Sequence, residues 1–216
     1  MTAAHVSATP RPRFAPGWIG AGVLGYAAGF ALWLSVFPAL RPVLGRLLGG
    51  SVSVAAFGAT VGLCVGVAQV LLVRWLAPAR LWIPATILGL ATGFVLAAWS
   101  GLLLSEAFGG SGVGVYLSDA VEDLTFGLLL GLCVGVARAF ALRQSQGTAL
   151  ARRWIIASAV GLMVGYAASL GILELLPALP STLIGAVFGA CVGGIAALLE
   201  WLIVGRLVAR TGAAAI

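Results

Sequence analysis

Six long apolar segments constrain what this chain can fold into more than any other feature. Each is close to the ~20 residues that an α-helix needs to cross about 30 Å of hydrocarbon. Only 8% of the 216 residues are charged, whereas soluble domains carry roughly 25%. We therefore predict an all-α integral membrane protein with six transmembrane helices. The segments lie at about 18–37, 51–73, 82–104, 121–142, 154–173 and 181–204.

Arginine placement predicts how the helices are oriented. All twelve basic residues are arginines, and the net charge is +6. With the N-terminus inside, the outer connectors hold only Arg41 and Arg46 of these, while the outer side carries most of the acidic residues. The positive-inside rule then predicts that both termini are cytoplasmic. Because the arginines are scattered over segment ends, they indicate contact with the lipid bilayer and exclude a nucleic-acid surface.

The ends of the chain are predicted to lie outside the membrane domain. Residues 1–17 contain Pro10, Pro12 and Pro16 and no apolar run, which predicts a disordered cytoplasmic tail. Residues 18–210 form the predicted six-helix domain, and 211–216 form a C-terminal tail. Breakers such as Pro38 and the glycines at 109–112 predict the connectors. Asp119 is expected to cap the fourth helix, with a cation-attracting vestibule formed by Asp119, Glu122 and Asp123 as the alternative.

The apolar segments repeat in pairs. The first, third and fifth share the pattern W-x6-G-x3-G, beginning at Trp18, Trp82 and Trp154. The second, fourth and sixth share glycines at four-residue spacing around Cys64, Cys133 and Cys191. The chain is therefore predicted to form three tandem helical hairpins with a pseudo-threefold axis along the membrane normal, at 18–73, 82–142 and 154–204. Because the first segment belongs to this repeat, we expect it to be retained and not cleaved as a signal peptide.

The repeated glycines are predicted to pack helices together. Small residues at four-residue spacing lie on one helix face and let two backbones approach closely in lipid. A glycine-lined substrate path is the alternative. The glycines in question are Gly25, Gly29, Gly58, Gly62, Gly66, Gly89, Gly93, Gly127, Gly131, Gly135, Gly161, Gly165, Gly185, Gly189 and Gly193.

One combination of motifs resembles a known group. The run GLCVGVAQVLLVR, followed by Trp82 through Gly93, resembles a group of uncharacterised bacterial multi-pass membrane proteins with tandem hairpin repeats. This chain departs from the pattern in its second copy, where Arg138 replaces Gln69, and in its third, where Ala196 stands there. The resemblance implies a fold and a bacterial cytoplasmic (inner) membrane location, and it implies no chemistry.

Three polar residues fall at membrane depth on the predicted cytoplasmic half. Arg138 lies about 7 Å deeper than Arg143 along its helix, Gln69 occupies the equivalent place, and Glu200 is one turn closer to the cytoplasm. Because a charge in hydrocarbon needs a partner, we predict an intramembrane polar network of Gln69, Arg138 and Glu200. Its role is either structural pairing or a transport or proton path.

The remaining candidate sites have weaker signals. Three equivalent cysteines allow a trigonal metal site, although they fall off the glycine face and packing is the simpler interpretation. The tryptophans at the segment starts are expected to be interfacial anchors, with an aromatic binding platform as the alternative. His5 is the only histidine, so no histidine-based metal or catalytic cluster is predicted, and no cofactor is expected.

The sequence predicts a class of protein more clearly than an activity. The spans contain no recognisable acid/base pair, nucleophile, metal cluster or nucleotide loop. We therefore expect a non-enzymatic accessory or scaffold component of a membrane assembly, with other membrane protein subunits as partners. A small transporter or channel is the alternative, and an intramembrane enzyme is the weaker one. A water-accessible central cavity at Arg138 would favour transport, whereas a closed, glycine-packed bundle would favour a partner-binding role.

Overall fold

A computed structural model describes residues 14–47, 49–72, 78–108, 113–176 and 179–214. These residues are almost entirely helical, and no strand occurs among them. Each helix contains a window long and apolar enough to cross a membrane, as the sequence predicts. The helices are α1 (Phe14–Leu47), α2 (Gly49–Leu72), α3 (Ala79–Phe108), α4 (Val113–Gln146), α5 (Thr148–Glu174) and α6 (Ser181–Ala214).

The helix boundaries correct several sequence predictions. Because α1 begins at Phe14, residues 14–17 are helical and not part of a tail, while residues 1–13 lie outside the described residues. Likewise α6 continues to Ala214, into the predicted C-terminal tail. Helix α1 also runs past Pro38, which a membrane helix tolerates when the freed carbonyl finds other partners. Asp119 is not a helix cap, because α4 already begins at Val113. The glycine connector at 109–112 lies outside the described residues.

The six helices form a closed ring. Each helix packs against the next one in the chain, and α6 packs against α1. Neighbouring helices are antiparallel, as contacts between α1 and α2 show: Gly25 lies against Val65, and Gly29 lies against Val61. The turn from α4 to α5 is the single residue Gly147, whose φ of 88° suits a residue without a side chain.

Glycines lie at every interface between neighbouring helices of this ring, and we call each of these interfaces a seam. All fifteen glycines predicted to pack helices lie against the neighbouring helix, each helix presenting its glycines to the next one around the ring. A β-carbon added at Gly62 would lie 2.7 Å from Ile87 Cα and 2.9 Å from the Thr86 carbonyl oxygen. These distances are too short for any side chain, so the close approach of the backbones depends on glycine.

Large side chains fill the space around the ring axis in two separate apolar clusters. One apolar cluster contains Trp18, Trp82 and Trp154. We call these three residues the tryptophan cluster. The end of the bundle where they lie is called the tryptophan end. The other contains an aromatic layer to which each helix contributes one residue, with neighbouring ring centroids 4.6 to 5.7 Å apart. The aromatic layer consists of Phe30, Phe57, Phe94, Phe126, Tyr166 and Phe188.

The outer surface of the ring is apolar. Leu24 on α1, Leu88 on α3 and Phe140 on α4 are 61%, 64% and 66% exposed. Side chains of this size would not face water around a whole bundle, and they are suited to contact with lipid chains. The exterior is therefore consistent with a bilayer around the helices.

Replacing Gly62 with alanine should destabilise the bundle by about 1–3 kcal/mol, because the backbones of α2 and α3 must move apart. The matched control is Gly171→Ala in α5, where a β-carbon meets nothing within 4 Å. That variant should be neutral or slightly more stable, because alanine favours helix by up to about 1 kcal/mol. Thermal unfolding in a mild detergent measures both, and equal stability of the two variants would contradict glycine-dependent packing.

Candidate functional site

The structure brings together the three polar residues that the sequence places at membrane depth. Arg138 is 1% exposed, and Gln69 and Glu200 are each 3% exposed. The guanidinium Nη1 lies 3.7 Å from Glu200 Oε1, and Nη2 donates a 2.9 Å hydrogen bond to Gln69 Oε1. The arginine therefore faces the bundle interior and does not extend along the lipid-facing surface toward the membrane boundary.

Two hydroxyl residues complete this group. Arg138 Nε donates to Thr86 Oγ1 at 3.2 Å, and the Ser158 hydroxyl donates to Glu200 Oε1 at 2.7 Å. Thr86 and Ser158 are both fully buried. We call the five residues Gln69, Thr86, Arg138, Ser158 and Glu200 the polar layer.

Two members of the tryptophan cluster bond directly to the polar layer. Trp18 Nε1 donates to Glu200 Oε2 at 3.0 Å, and Trp82 Nε1 donates to Gln69 Oε1 at 3.0 Å. The Arg138 guanidinium also lies over the Trp82 ring, 5.2 Å from its centroid, which is within the range of a cation–π interaction. With Trp18 included, the polar layer receives a side chain from every one of the six helices.

The hydrogen-bonding capacity of these groups explains the geometry. Gln69 Oε1 accepts from both Arg138 and Trp82, and because both partners are donors, the oxygen of the amide must face them. Thr86 Oγ1 accepts from Arg138 while its hydroxyl donates to the Trp82 carbonyl oxygen. Both carboxylate oxygens of Glu200 are occupied. The two opposite charges are thus buried with their polar atoms largely satisfied, as a buried pair requires.

The tryptophans are not the interfacial anchors predicted from the sequence. Trp18, Trp82 and Trp154 are at most 2% exposed and meet edge to face, with centroids 5.1, 5.8 and 6.1 Å apart. They lie on the ring axis because a ring of six helices leaves central space that only large side chains fill. Because these three tryptophans are buried, they present no exposed ring face for the aromatic binding platform.

Trp154 differs from the other two tryptophans in one respect. Among the described residues its indole N–H has no hydrogen-bond partner. Trp18 and Trp82 each donate to the preceding helix of the ring, where Glu200 or Gln69 supplies an oxygen. Trp154 lies on α5, and the preceding helix of the ring is α4. At the position equivalent to Gln69, α4 carries Arg138, whose guanidinium cannot accept a hydrogen bond. Because arginine and not glutamine stands at this repeat position, the Trp154 N–H lacks the acceptor that Trp82 has.

The structure does not assemble the metal site considered for the cysteines. Cys64, Cys133 and Cys191 are free and half-buried. Within the described ranges no group of three or more His, Cys, Asp or Glu side chains could hold a metal ion. Cys133 instead lines a groove on the outer surface between α3 and α4.

Sequence analysis missed Thr86, Ser158 and the bonding role of the tryptophans. Hydroxyls inside a membrane helix carry little signal, because they can bond to a carbonyl of their own helix, as Thr86 does. One pattern could have identified them: Thr86 and Ser158 each stand four residues after a repeat tryptophan, on the same helix face.

Removing the guanidinium should destabilise the bundle strongly. Arg138→Met leaves Glu200 buried without a counter-charge, and breaking such a pair costs about 3–5 kcal/mol. The double variant Arg138→Met/Glu200→Gln should recover much of this loss, because no isolated charge remains. Arg153→Gln removes an exposed arginine on α5 that does not line either described groove; it is the control and should unfold like the wild type in detergent. Wild-type stability of Arg138→Met with Glu200 intact would refute the pairing.

Two tryptophans provide a matched test of the hydrogen bonds. Trp18 and Trp154 are both fully buried, yet only Trp18 is shown donating, to a carboxylate. Trp18→Phe should therefore cost about 1.5–3 kcal/mol more than Trp154→Phe, the usual contribution of a hydrogen bond to a charged group. Chemical unfolding of both variants in the same detergent measures the difference. Equal losses would mean that only ring packing matters.

Comparisons of the chain with protein-family models, with curated proteins and with solved structures find no match. What the protein does must therefore be inferred from its own polar layer and surface.

Proposed function

We propose that this protein is a non-enzymatic accessory or scaffold component of a membrane assembly. The proposal rests on the polar layer, where the charged atoms bond to other side chains of the protein. Arg138 and Glu200 are directed at each other and at neighbouring side chains from all six helices. A catalytic or transport site keeps charged atoms available to a substrate, whereas these atoms are engaged within the protein.

Packing on either side of the polar layer supports the same proposal. The tryptophan cluster lies on one side, and aliphatic residues and the aromatic layer lie on the other. Glycine contacts close each seam between neighbouring helices. A rigid, closed bundle with an apolar exterior suits a protein that acts by contacting other membrane components.

We infer that the bundle lies in a bacterial inner membrane with both termini in the cytoplasm and with the tryptophan end facing inward. Arg80, Arg143, Arg152 and Arg153 all stand near that end of their helices, as the positive-inside rule favours. The three hairpins are further inferred to be related by a threefold axis. The edge-to-face tryptophan cluster and the shared direction of the glycine contacts support this relation.

A matched pair of cysteines tests the orientation. Gln144 is exposed at the tryptophan end, and Leu175, at the opposite end, is 84% exposed. In intact cells, a membrane-impermeant maleimide should label Leu175→Cys and leave Gln144→Cys unlabelled until the cells are lysed. The parent chain with its three half-buried native cysteines gives the background. The reverse labelling pattern would overturn the orientation.

Purification from the native host tests the accessory role. A tagged full-length chain, extracted in gentle detergent, should migrate as a complex with a partner protein at fixed stoichiometry. An unrelated multi-pass protein expressed at the same level controls for non-specific association. A chain that is repeatedly recovered alone would contradict the proposal. The transporter alternative rests on the general association of ionisable residues at membrane depth with transport paths, and it instead predicts ion flux in proteoliposomes that stops in Arg138→Met/Glu200→Gln.

A further inference from the structure

A groove on the outer surface of the bundle lies between α4 and α5 at the tryptophan end. Its volume is about 290 Å³, and two arginines line it, Arg143 from α4 and Arg152 from α5. Thr148 adds a hydroxyl, and the deeper wall is formed by apolar residues that include Val136, Phe140 and Ile155. The groove therefore changes from apolar to cationic along the membrane normal.

Among the described residues, no carboxylate side chain stands beside these arginines. The chain has six acidic residues, and only Glu200 stands toward the tryptophan end of its helix, where it is buried and bonded within the polar layer. The other acidic residues stand at the opposite end of their helices. Within the described part of the chain, Arg143 and Arg152 thus have no carboxylate partner, so they remain available to an external anion.

The depth of the groove identifies the kind of molecule that suits it. Val136 stands two residues before Arg138, hence at hydrocarbon depth, whereas Arg143 is at the last turns of α4. A ligand that spans both must have an apolar chain below and an anionic group above. Basic pockets between membrane helices are suited to anionic lipid head groups, because a guanidinium binds phosphate oxygens in bidentate fashion.

A second groove extends the apolar part of this surface. It lies between α3 and α4, has a volume of about 590 Å³, and is lined by Leu88, Leu132 and other largely apolar residues. Val136 and Phe140 line both grooves, so Phe140, which is 66% exposed, separates two apolar channels below one cationic site. This shape is complementary to a lipid with two acyl chains.

We propose that the surface around Phe140 binds an anionic phospholipid, with its phosphate at Arg143 and Arg152 and its acyl chains on either side of the Phe140 ring. The site is distinct from the polar layer, whose Arg138 is enclosed within the bundle. It requires no particular orientation of the bundle, because phospholipid phosphates lie at both membrane surfaces.

Native mass spectrometry of the full-length protein in a neutral detergent tests the proposal. Phosphatidylglycerol should bind more tightly than phosphatidylcholine with the same acyl chains. Arg143→Gln/Arg152→Gln should weaken phosphatidylglycerol binding by about 25-fold, since each basic residue near an anionic surface contributes about fivefold. Arg153→Gln is the matched control: it removes an adjacent exposed arginine that does not line the groove and should change binding little. Phe140→Ala should weaken the binding of both lipids and leave the preference for phosphatidylglycerol unchanged.

Four outcomes would overturn the proposal. Equal binding of the two lipids by the wild type would show that the arginines do not select an anion. An equal loss in Arg153→Gln would show diffuse attraction by surface charge. Displacement of the lipid by millimolar inorganic phosphate would show a site for the free anion. A dimer mass that disappears in Phe140→Ala would assign the surface to a second copy of the chain.

Discussion

A guanidinium buried among membrane helices is the constraint around which this structure is organised. Placing an arginine at hydrocarbon depth costs at least about 2.5 kcal/mol on insertion scales, so its charge and its N–H groups must find partners within the protein. Arg138 obtains a carboxylate from α6, an amide oxygen from α2 and a hydroxyl from α3. Each partner is held by further bonds, through Trp82 to Gln69 and through Trp18 and Ser158 to Glu200. One buried charge is thereby connected to side chains on all six helices.

Close packing and the polar layer depend on each other. Side chains can bridge the axis of a six-helix ring only if the helices are near it, and glycines at each seam bring the backbones together. Conversely, a buried ion pair with defined partners favours one register of the helices. Gly62 illustrates the connection, because a β-carbon there would lie against the backbone of Thr86, the residue that accepts from Arg138.

The sequence was informative where a single residue carries a large energetic penalty. Six apolar segments predict six helices, and Gln69, Arg138 and Glu200 stand out because polar groups at membrane depth are costly. Thr86 and Ser158 carry no such penalty, since a hydroxyl can bond within its own helix, so their roles emerge only when the helices are placed together. The tryptophans were misassigned because an indole at a segment end suits the membrane interface and the bundle axis equally well. Helix ends were misjudged at Pro38 and Asp119 because local breakers do not stop a helix that is otherwise satisfied.

Arg138 links Gln69 on α2 to Glu200 on α6. A triple-mutant cycle tests whether this link couples the two residues energetically. Unfolding free energies in detergent would be measured for Gln69→Leu, Glu200→Gln and their combination, first with Arg138 present and then in Arg138→Met. With Arg138 present, the two substitutions on α2 and α6 should be non-additive by about 0.5–3 kcal/mol, as expected for residues that share one network. In Arg138→Met the coupling should vanish. Additive effects with Arg138 present, or coupling that persists without it, would contradict the account.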